Sequence, residues 1–330
     1  MTGLPLTQPV SRPDTAVIEG VYLCDKLDLP QLFDPALSQE AGVRIYAPSD
    51  VPDAAQIRFA LAWRPGPRAF DPYPALSLVQ SIASGVDGIL ASESLPDKAQ
   101  VARVRDPGQA SVMAGFAVWH LIWHHRRMAN YLHNAASQTW QRTSFGDLIA
   151  PADLTVGVLG FGLMGRTIAE AVVKLGFKVI AASNTDRADT DPITVFSGPQ
   201  ACQTVAAQAD FLINVLPLTA QTKGLIDADF LKTMKSGAVL IHLGRGEHVI
   251  EDDLLAALDG GVIGAASLDV FSTEPLPRDH PFWTHPKVLV TPHEASVLPA
   301  SAVVTSLRQS LLETKAGLPL SLAVDRHKGY

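Results

Sequence analysis

The sequence predicts an α/β protein of two domains built on parallel sheets, and three observations carry that expectation. At 330 residues the chain exceeds the size at which one hydrophobic core usually stops growing, so two domains are the default. Short apolar runs alternate with stretches of helical periodicity, as when strands are joined by helical crossovers. Three late runs, 238–241, 263–268 and 288–290, are each followed within a few residues by a chemically capable side chain: Arg245, Glu274 and His293. Continuous short apolar runs mark buried parallel strands. Ligands bind beyond the carboxyl ends of such strands. A fixed cation, a carboxylate and a titratable base are therefore expected to converge on one crevice.

Bulk properties narrow the class. Hydrophobic residues make up 47% and charged residues 18%, a balance that packs rather than stays disordered. The net charge of -7 argues against a nucleic-acid surface. No run of eighteen apolar residues occurs, so no membrane span is expected. The opening MTGLPLTQPVSRPD is polar and proline-rich, without the apolar core of a signal peptide. Cys24 and Cys202 cannot build a disulfide framework and fit a reducing, cytoplasmic setting.

The elements follow in order. Residues 15–24, 43–47, 57–62 and 76–82 are short strand candidates, separated by helical or proline-rich connectors such as Trp63-Arg64-Pro65-Gly66-Pro67. They suggest a smaller α/β domain in the first hundred residues. Residues 110–134 form one long helical stretch that links the domains, with Trp119, Ile122, Trp123 and Leu132 among its apolar residues. Within it His120 and His124 stand at metal-ligand spacing, with His125 and His133 nearby. No HExxH pattern occurs and the stretch holds no carboxylate. It therefore reads as an interface helix, and no metal is expected.

Residues 154–159 read as a strand that opens directly into Gly160-Phe161-Gly162-Leu163-Met164-Gly165. A helix follows over 166–175, with Ile168, Ala171, Val172 and Leu175 on one face, and then a strand over 177–182. A G-x-G-x-x-G between strand and helix inside a βαβ unit is the dinucleotide-binding fingerprint of a Rossmann domain. Gly160 permits the tight turn, Gly162 admits a pyrophosphate to the backbone, and Gly165 lets helix and strand pack closely. The pyrophosphate would sit on the helix N-terminus, where free N–H groups and the helix dipole favour an anion.

On these motifs the chain resembles the D-isomer-specific 2-hydroxyacid dehydrogenases, and within them the glyoxylate/hydroxypyruvate reductase A type. The carriers are the GFGLMG loop, Leu216-Pro217-Leu218-Thr219, His242-Leu243-Gly244-Arg245-Gly246, Leu268-Asp269-Val270-Phe271, Glu274-Pro275-Leu276-Pro277, Thr291-Pro292-His293 and the ending Val324-Asp325-Arg326-His327-Lys328-Gly329-Tyr330. The resemblance implies a Rossmann domain over 106–296 inserted in a smaller flavodoxin-like substrate domain of 1–105 and 297–330, a helix over 301–315 returning to the latter. It also implies a homodimer, with much of the contact made by residues 101–150.

Reducing a small 2-oxo acid such as glyoxylate or hydroxypyruvate needs a hydride donor, a proton donor at the carbonyl oxygen and a cation for the carboxylate. His293 suits the proton donor, since an imidazole exchanges protons near neutral pH. Glu274 suits the group that orients His293 and stabilises its charged form. Arg245 suits the substrate clamp, being planar and always charged. By resemblance Ser84-Gly85-Val86-Asp87 is the substrate loop, offering backbone N–H groups to a carboxylate, and Trp63 and Arg64 line the pocket. Leu216 and Pro217, with Leu243 and Gly244, lie along the cofactor. Asp269 stands near the nicotinamide end or serves as a cap. Glu294, directly after His293, is unusual where a small or apolar residue is expected.

The choice of cofactor turns on the end of the second strand, where NAD-preferring domains carry an acidic residue for the ribose. Ser183 occupies that slot, followed by Asn184, Thr185 and Arg187, which favours NADPH over NADH; Asp186 would serve NAD in a slightly shifted register. Two other readings stay open. One is a dehydrogenase of another 2-hydroxy acid, although residues 81–90 hold no basic residue for a phosphorylated one. The other is a dinucleotide-sensing protein without turnover.

Overall fold

A computed structural model describes residues 17–142, 148–186 and 190–330. The strands, in chain order, are β1 (Ile18–Leu23), β2 (Val43–Tyr46), β3 (Ile57–Ala62), β4 (Leu78–Ser81), β5 (Gln100–Ala102), β6 (Thr155–Leu159), β7 (Lys178–Ser183), β8 (Thr194–Ser197), β9 (Phe211–Asn214), β10 (Val239–His242), β11 (Ala265–Leu268) and β12 (Val288–Val290). The helices are α1 (Leu29–Leu37), α2 (Asp87–Leu90), α3 (Pro107–His125), α4 (Met128–Ala136), α5 (Leu163–Lys174), α6 (Ala201–Gln208), α7 (Ala228–Thr233), α8 (Glu251–Asp259) and α9 (Ala300–Lys315). The contacts divide the chain into two compact units. One runs through Val104 and includes Pro299–Arg326; the other comprises Arg105–Leu298 and His327–Tyr330.

The smaller unit carries a five-stranded parallel sheet in the order β2-β1-β3-β4-β5. That is the doubly wound, flavodoxin-like order. Its core holds Val21, Ile57, Phe70, Leu76, Val79 and Ile89. Although α9 lies far along the chain, it belongs here. Its buried Ser310 donates to Gln80 Oε1 of β4 at 2.8 Å, and Arg308 Nε meets Glu40 at 2.7 Å. A glutamine in the middle of a buried strand would otherwise leave an unmatched polar group, which costs about 1–3 kcal/mol.

The larger unit carries a seven-stranded parallel sheet in the order β12-β11-β10-β9-β6-β7-β8. Counted from β6 as first, this is the dinucleotide-binding order, and it reverses direction between β6 and β9. Apolar clusters cover both faces, one including Leu212, Leu240 and Ala266, the other Val156, Ile213 and Ile241. Adjacent residues of β9 and β10 enter opposite cores, which is why these strands read as apolar runs. No helix among the described residues is long and apolar enough to cross a membrane.

Three features depart from the sequence reading. Residues 110–134 are not one helix: Arg127 takes a left-handed φ of 52° and separates α3 from α4. Neither glycine nor proline marks the break, so the helical periodicity runs straight through it. His120 and His124, read for metal-ligand spacing, instead pack within the larger unit. His120 is fully buried against the rings of Phe116 and Trp119, while His124 Nε2 lies 2.7 Å from Ser267 Oγ on β11. Burial lowers the pKa of both imidazoles to about 4, the proximity of His120 adding to the effect on His124. Finally, His327–Tyr330 joins the larger unit, because Gly329 packs on Thr219 and the Tyr330 hydroxyl accepts from Asn184 Nδ2 at 3.2 Å.

Candidate active site

The reversal between β6 and β9 opens a crevice, and the glycine loop lies at its edge. Gly160 has a φ of 98°, a conformation that a side chain disfavours, and its position is crowded: a Cβ would lie 3.1 Å from Val215 O. A Cβ on Gly165 would approach Gly160 O to 1.8 Å, so only glycine lets α5 close on the turn. Around Gly162, by contrast, the space is open. Gly162 is the N-cap of α5 and supplies no side-chain hydrogen bond to the first turn, where Leu163 and Met164 begin the helix. An open glycine before an uncapped twelve-residue helix fits a pyrophosphate.

The neighbouring strand ends complete the crevice wall. Ser183 closes β7 and its Oγ donates to Thr185 O at 2.9 Å, folding the chain back in a tight turn that carries Asn184. Asp186 is exposed beyond it, and Arg187 lies outside the described residues. After β9, Leu216 N donates to Asn214 Oδ1 at 3.1 Å and Pro217 O accepts from Thr222 Oγ1 at 2.7 Å. Leu243 and Gly244 follow β10; the Leu243 side chain points into the core, so only its backbone is offered to the crevice.

Glu274 and His293 are brought together. His293 Nδ1 stands 2.9 Å from Glu274 Oε2 and 3.1 Å from Oε1. A carboxylate can only accept, so Nδ1 carries the proton and Nε2 remains as the nitrogen for proton exchange. Glu274 Oε1 also accepts from Phe271 N at 3.2 Å, which anchors the carboxylate to the β11 loop. The side chains of His293 and Glu274 are 35% and 19% exposed, open enough for a substrate yet partly shielded from water.

His293 itself has a φ of 59°, unusual for a non-glycine residue. Asp269 imposes it. Its backbone carbonyl accepts from His293 N at 2.8 Å. Its fully buried carboxylate accepts from Thr291 Oγ1 at 2.7 Å, Glu294 N at 2.9 Å and Ala295 N at 2.9 Å. The sequence left Asp269 between the nicotinamide end and a cap; what the structure displays is the clamp on the histidine loop. The Glu294 side chain is exposed.

Arg245 follows β10, next to β11, and Asp269 N donates to His242 O at 3.1 Å, so both loops leave the same sheet edge. The Arg245 Nη1 donates to Gly244 O at 2.8 Å. Its backbone is held on both sides: its carbonyl lies 2.8 Å from His242 Nε2 and its N–H donates to His248 Nδ1 at 3.2 Å. Sequence reasoning passed over Asn214, His242 and His248 as functional residues. The available signal was a polar residue closing an otherwise apolar strand, as in Phe211-Leu212-Ile213-Asn214 and Val239-Leu240-Ile241-His242.

In the smaller unit Ser84, Gly85 and Val86 form the loop between β4 and α2, stiffened by Ser81 Oγ donating to Gly85 O at 2.8 Å and Ser84 Oγ to Val104 O at 3.1 Å. The Val86 side chain is buried in the core, so this loop too presents backbone. Trp63 and Arg64 follow β3, with the Arg64 guanidinium 5.9 Å from the Trp63 ring centre. Arg64 packs against Gly88, which sets the two loops side by side.

This crevice, with its glycine loop and histidine–carboxylate pair, belongs to a known class. The family model for the D-isomer specific 2-hydroxyacid dehydrogenase NAD binding domain matches residues 118–295, and the chain is a member of that family, an oxidoreductase with an NAD(P)-binding domain. It is 34% identical over 296 residues to the glyoxylate/hydroxypyruvate reductase A of Serratia proteamaculans (strain 568), covering 88% of this chain and 92% of that protein. Among solved structures it is similar to a D-isomer specific 2-hydroxyacid dehydrogenase from Xanthobacter autotrophicus Py2 in complex with NADPH and MES, with a TM-score of 0.87, 32% identity and coverage of 94% of this chain and 99% of that one. The NADPH-dependent glyoxylate/hydroxypyruvate reductase of Sinorhizobium meliloti, in complex with NADP and sulfate, gives a TM-score of 0.87 at 30% identity, again covering 94% and 99%.

Proposed function

We propose that this protein reduces glyoxylate, hydroxypyruvate or both to the corresponding 2-hydroxy acid, with NADPH preferred over NADH. The hydrogen-bonded pair of His293 and Glu274 at the carboxyl edge of a dinucleotide-binding sheet is the observation that carries this reading. The relatives named above support the substrate class and the cofactor. So does the position of Ser183, which puts no carboxylate at the end of β7 to repel a 2′-phosphate.

The roles follow from the groups present. Gly160, Gly162 and Gly165 with the first turn of α5 would hold the pyrophosphate. Ser183, Asn184, Thr185 and Arg187 would hold the phosphoribose, and Leu216, Pro217, Leu243 and Gly244 would flank the nucleotide. When bound, the reduced nicotinamide supplies the hydride to the carbonyl carbon. His293 delivers a proton from Nε2 to the carbonyl oxygen as negative charge builds there. Glu274, bonded to Nδ1, keeps the ring oriented with Nε2 towards the substrate. Arg245 binds the carboxylate and polarises the carbonyl. In the smaller unit, the backbone of Ser84, Gly85 and Val86 offers N–H groups suited to a substrate carboxylate, with Trp63 and Arg64 alongside.

Initial rates with NADPH and NADH, each against glyoxylate and hydroxypyruvate, test this. Turnover with NADPH several-fold above that with NADH is expected. His293→Ala should lower kcat by about 10²–10⁴-fold while NADPH affinity is kept. No turnover of either oxo acid, or a His293→Ala protein as active as the parent, would refute the assignment.

A further inference from the structure

Asn214, His242 and His248 close β9, close β10 and end the turn after Arg245, respectively, and at most 1% of each is exposed. Three buried polar side chains at the edge of two apolar cores need a full set of partners. They have one another and the loops around them. His242 Nε2 lies 2.8 Å from Arg245 O, and a carbonyl can only accept, so Nε2 carries the proton. His242 Nδ1 is then the acceptor, and Asn214 Nδ2 stands 3.1 Å from it. His248 repeats the arrangement: Nε2 donates to Pro217 O at 3.2 Å, leaving Nδ1 to accept from Asn214 Nδ2 and from Arg245 N, each at 3.2 Å. Asn214 Oδ1 accepts from Leu216 N at 3.1 Å, which orients the amide so that its nitrogen faces both rings.

The pattern works only with both imidazoles neutral. Burial, followed by the neighbouring His248, lowers the His242 pKa to about 3, against the opposing effect of its bond to Arg245 O. That removes His242 from consideration as an acid or base near neutral pH.

We propose that Asn214, His242 and His248 are positioning residues that grip the Arg245 backbone from both sides and, through His248 and Pro217, couple that grip to the cofactor loop. The proposal rests on reading Arg245 as the substrate clamp. Backbone fixed at both the N–H and the carbonyl sets the direction of the Arg245 Cα–Cβ bond, and the Nη1 bond to Gly244 O at 2.8 Å further narrows where the guanidinium can lie. The guanidinium is then pre-organised for a carboxylate rather than found by search. Each histidine has a distinct task at each ring nitrogen, and this makes the tasks separable.

Asparagine places a polar atom near the Nδ1 position of histidine, and glutamine near Nε2. His242→Gln keeps a donor for Arg245 O and should hold KM for the oxo acid within about threefold of the parent, whereas His242→Asn should raise it about tenfold. Both should keep the Kd for NADPH, measured by nucleotide fluorescence without substrate. At 248 the ranking inverts. His248→Asn keeps the acceptor for Arg245 N, so it should retain KM and weaken NADPH binding. His248→Gln keeps the bond to Pro217 O, so it should retain NADPH binding and raise KM. A role in folding alone would make every loss follow the melting temperature, with no inversion, and that result overturns the proposal. If the histidine variants do not fold, the isosteric Asn214→Asp decides. It keeps the bond to Leu216 N but presents a carboxylate to both Nδ1 atoms, which draws a proton there, so His248 Nδ1 no longer accepts from Arg245 N and KM should rise about tenfold; parental KM would overturn the proposal. Arg245→Ala separates the two layers. Unchanged KM there defeats the clamp reading itself, whereas a raised KM beside parental values in His242→Asn and Asn214→Asp defeats only the positioning.

Discussion

His293 is where a residue's own preference is overruled. A β-carbon disfavours a φ of 59°, and the strain persists because the carbonyl and carboxylate of Asp269 together satisfy three consecutive backbone N–H groups. Asp269→Asn swaps one acceptor oxygen for a donor that faces an N–H. We expect kcat to fall about 10–100-fold while the Kd for NADPH stays near the parental value, since one buried unmatched group costs about 1–3 kcal/mol. A weakened NADPH affinity at parental kcat would instead put Asp269 against the nucleotide. The pairing of His293 with Glu274 was legible in the sequence because both follow strands of one sheet. The clamp was not, since nothing in Leu268-Asp269-Val270 says that a carboxylate will turn inwards to bind a loop more than twenty residues away.

Among the elements, the runs that became β6 and β10 were readable because strands covered on both faces have almost no polar interruption. β5, β8 and β9 were not read as strands: β5 is three residues long and β8 weakly apolar, while the four-residue β9 is buried but too brief a run to stand out from the helix-like stretch before it. Helix α3 demonstrates the opposite limit. Its histidines stand at metal-ligand spacing, yet His120 is buried and His124 partly buried, in surroundings that disfavour their charged forms. Their folded pKa values of about 4 lie below the unfolded value, so the unfolded chain binds protons first as pH falls. Their stabilising effect is intact above about pH 6.5 and is lost as pH drops towards 4. Urea unfolding at pH 7 and pH 5 should show a loss of about 2 kcal/mol per imidazole. His120→Leu should remove roughly half of that loss. Equal pH sensitivity in parent and variant would show that these two groups do not govern it.

At the scale of the molecule, we propose a homodimer formed through the outer side of α3 and α4. Exposed Val112, Trp119 and Leu132 support it, the last being 61% exposed as the protein stands alone. Light scattering after size exclusion should give twice the chain mass, and Leu132→Asp should shift it to the monomer; a parent that elutes as a monomer at micromolar concentration sinks the idea. The interrupted make-up of the smaller unit has a consequence for synthesis. Ser310, Arg308 and the buried Val303, Leu307 and Leu311 of α9 all belong to a sheet whose strands leave the ribosome two hundred residues earlier. The larger unit has nearly its whole sequence by residue 298, while the smaller unit still lacks the helix that donates to Gln80 Oε1. The half of the protein translated first is therefore the half whose parts are complete last.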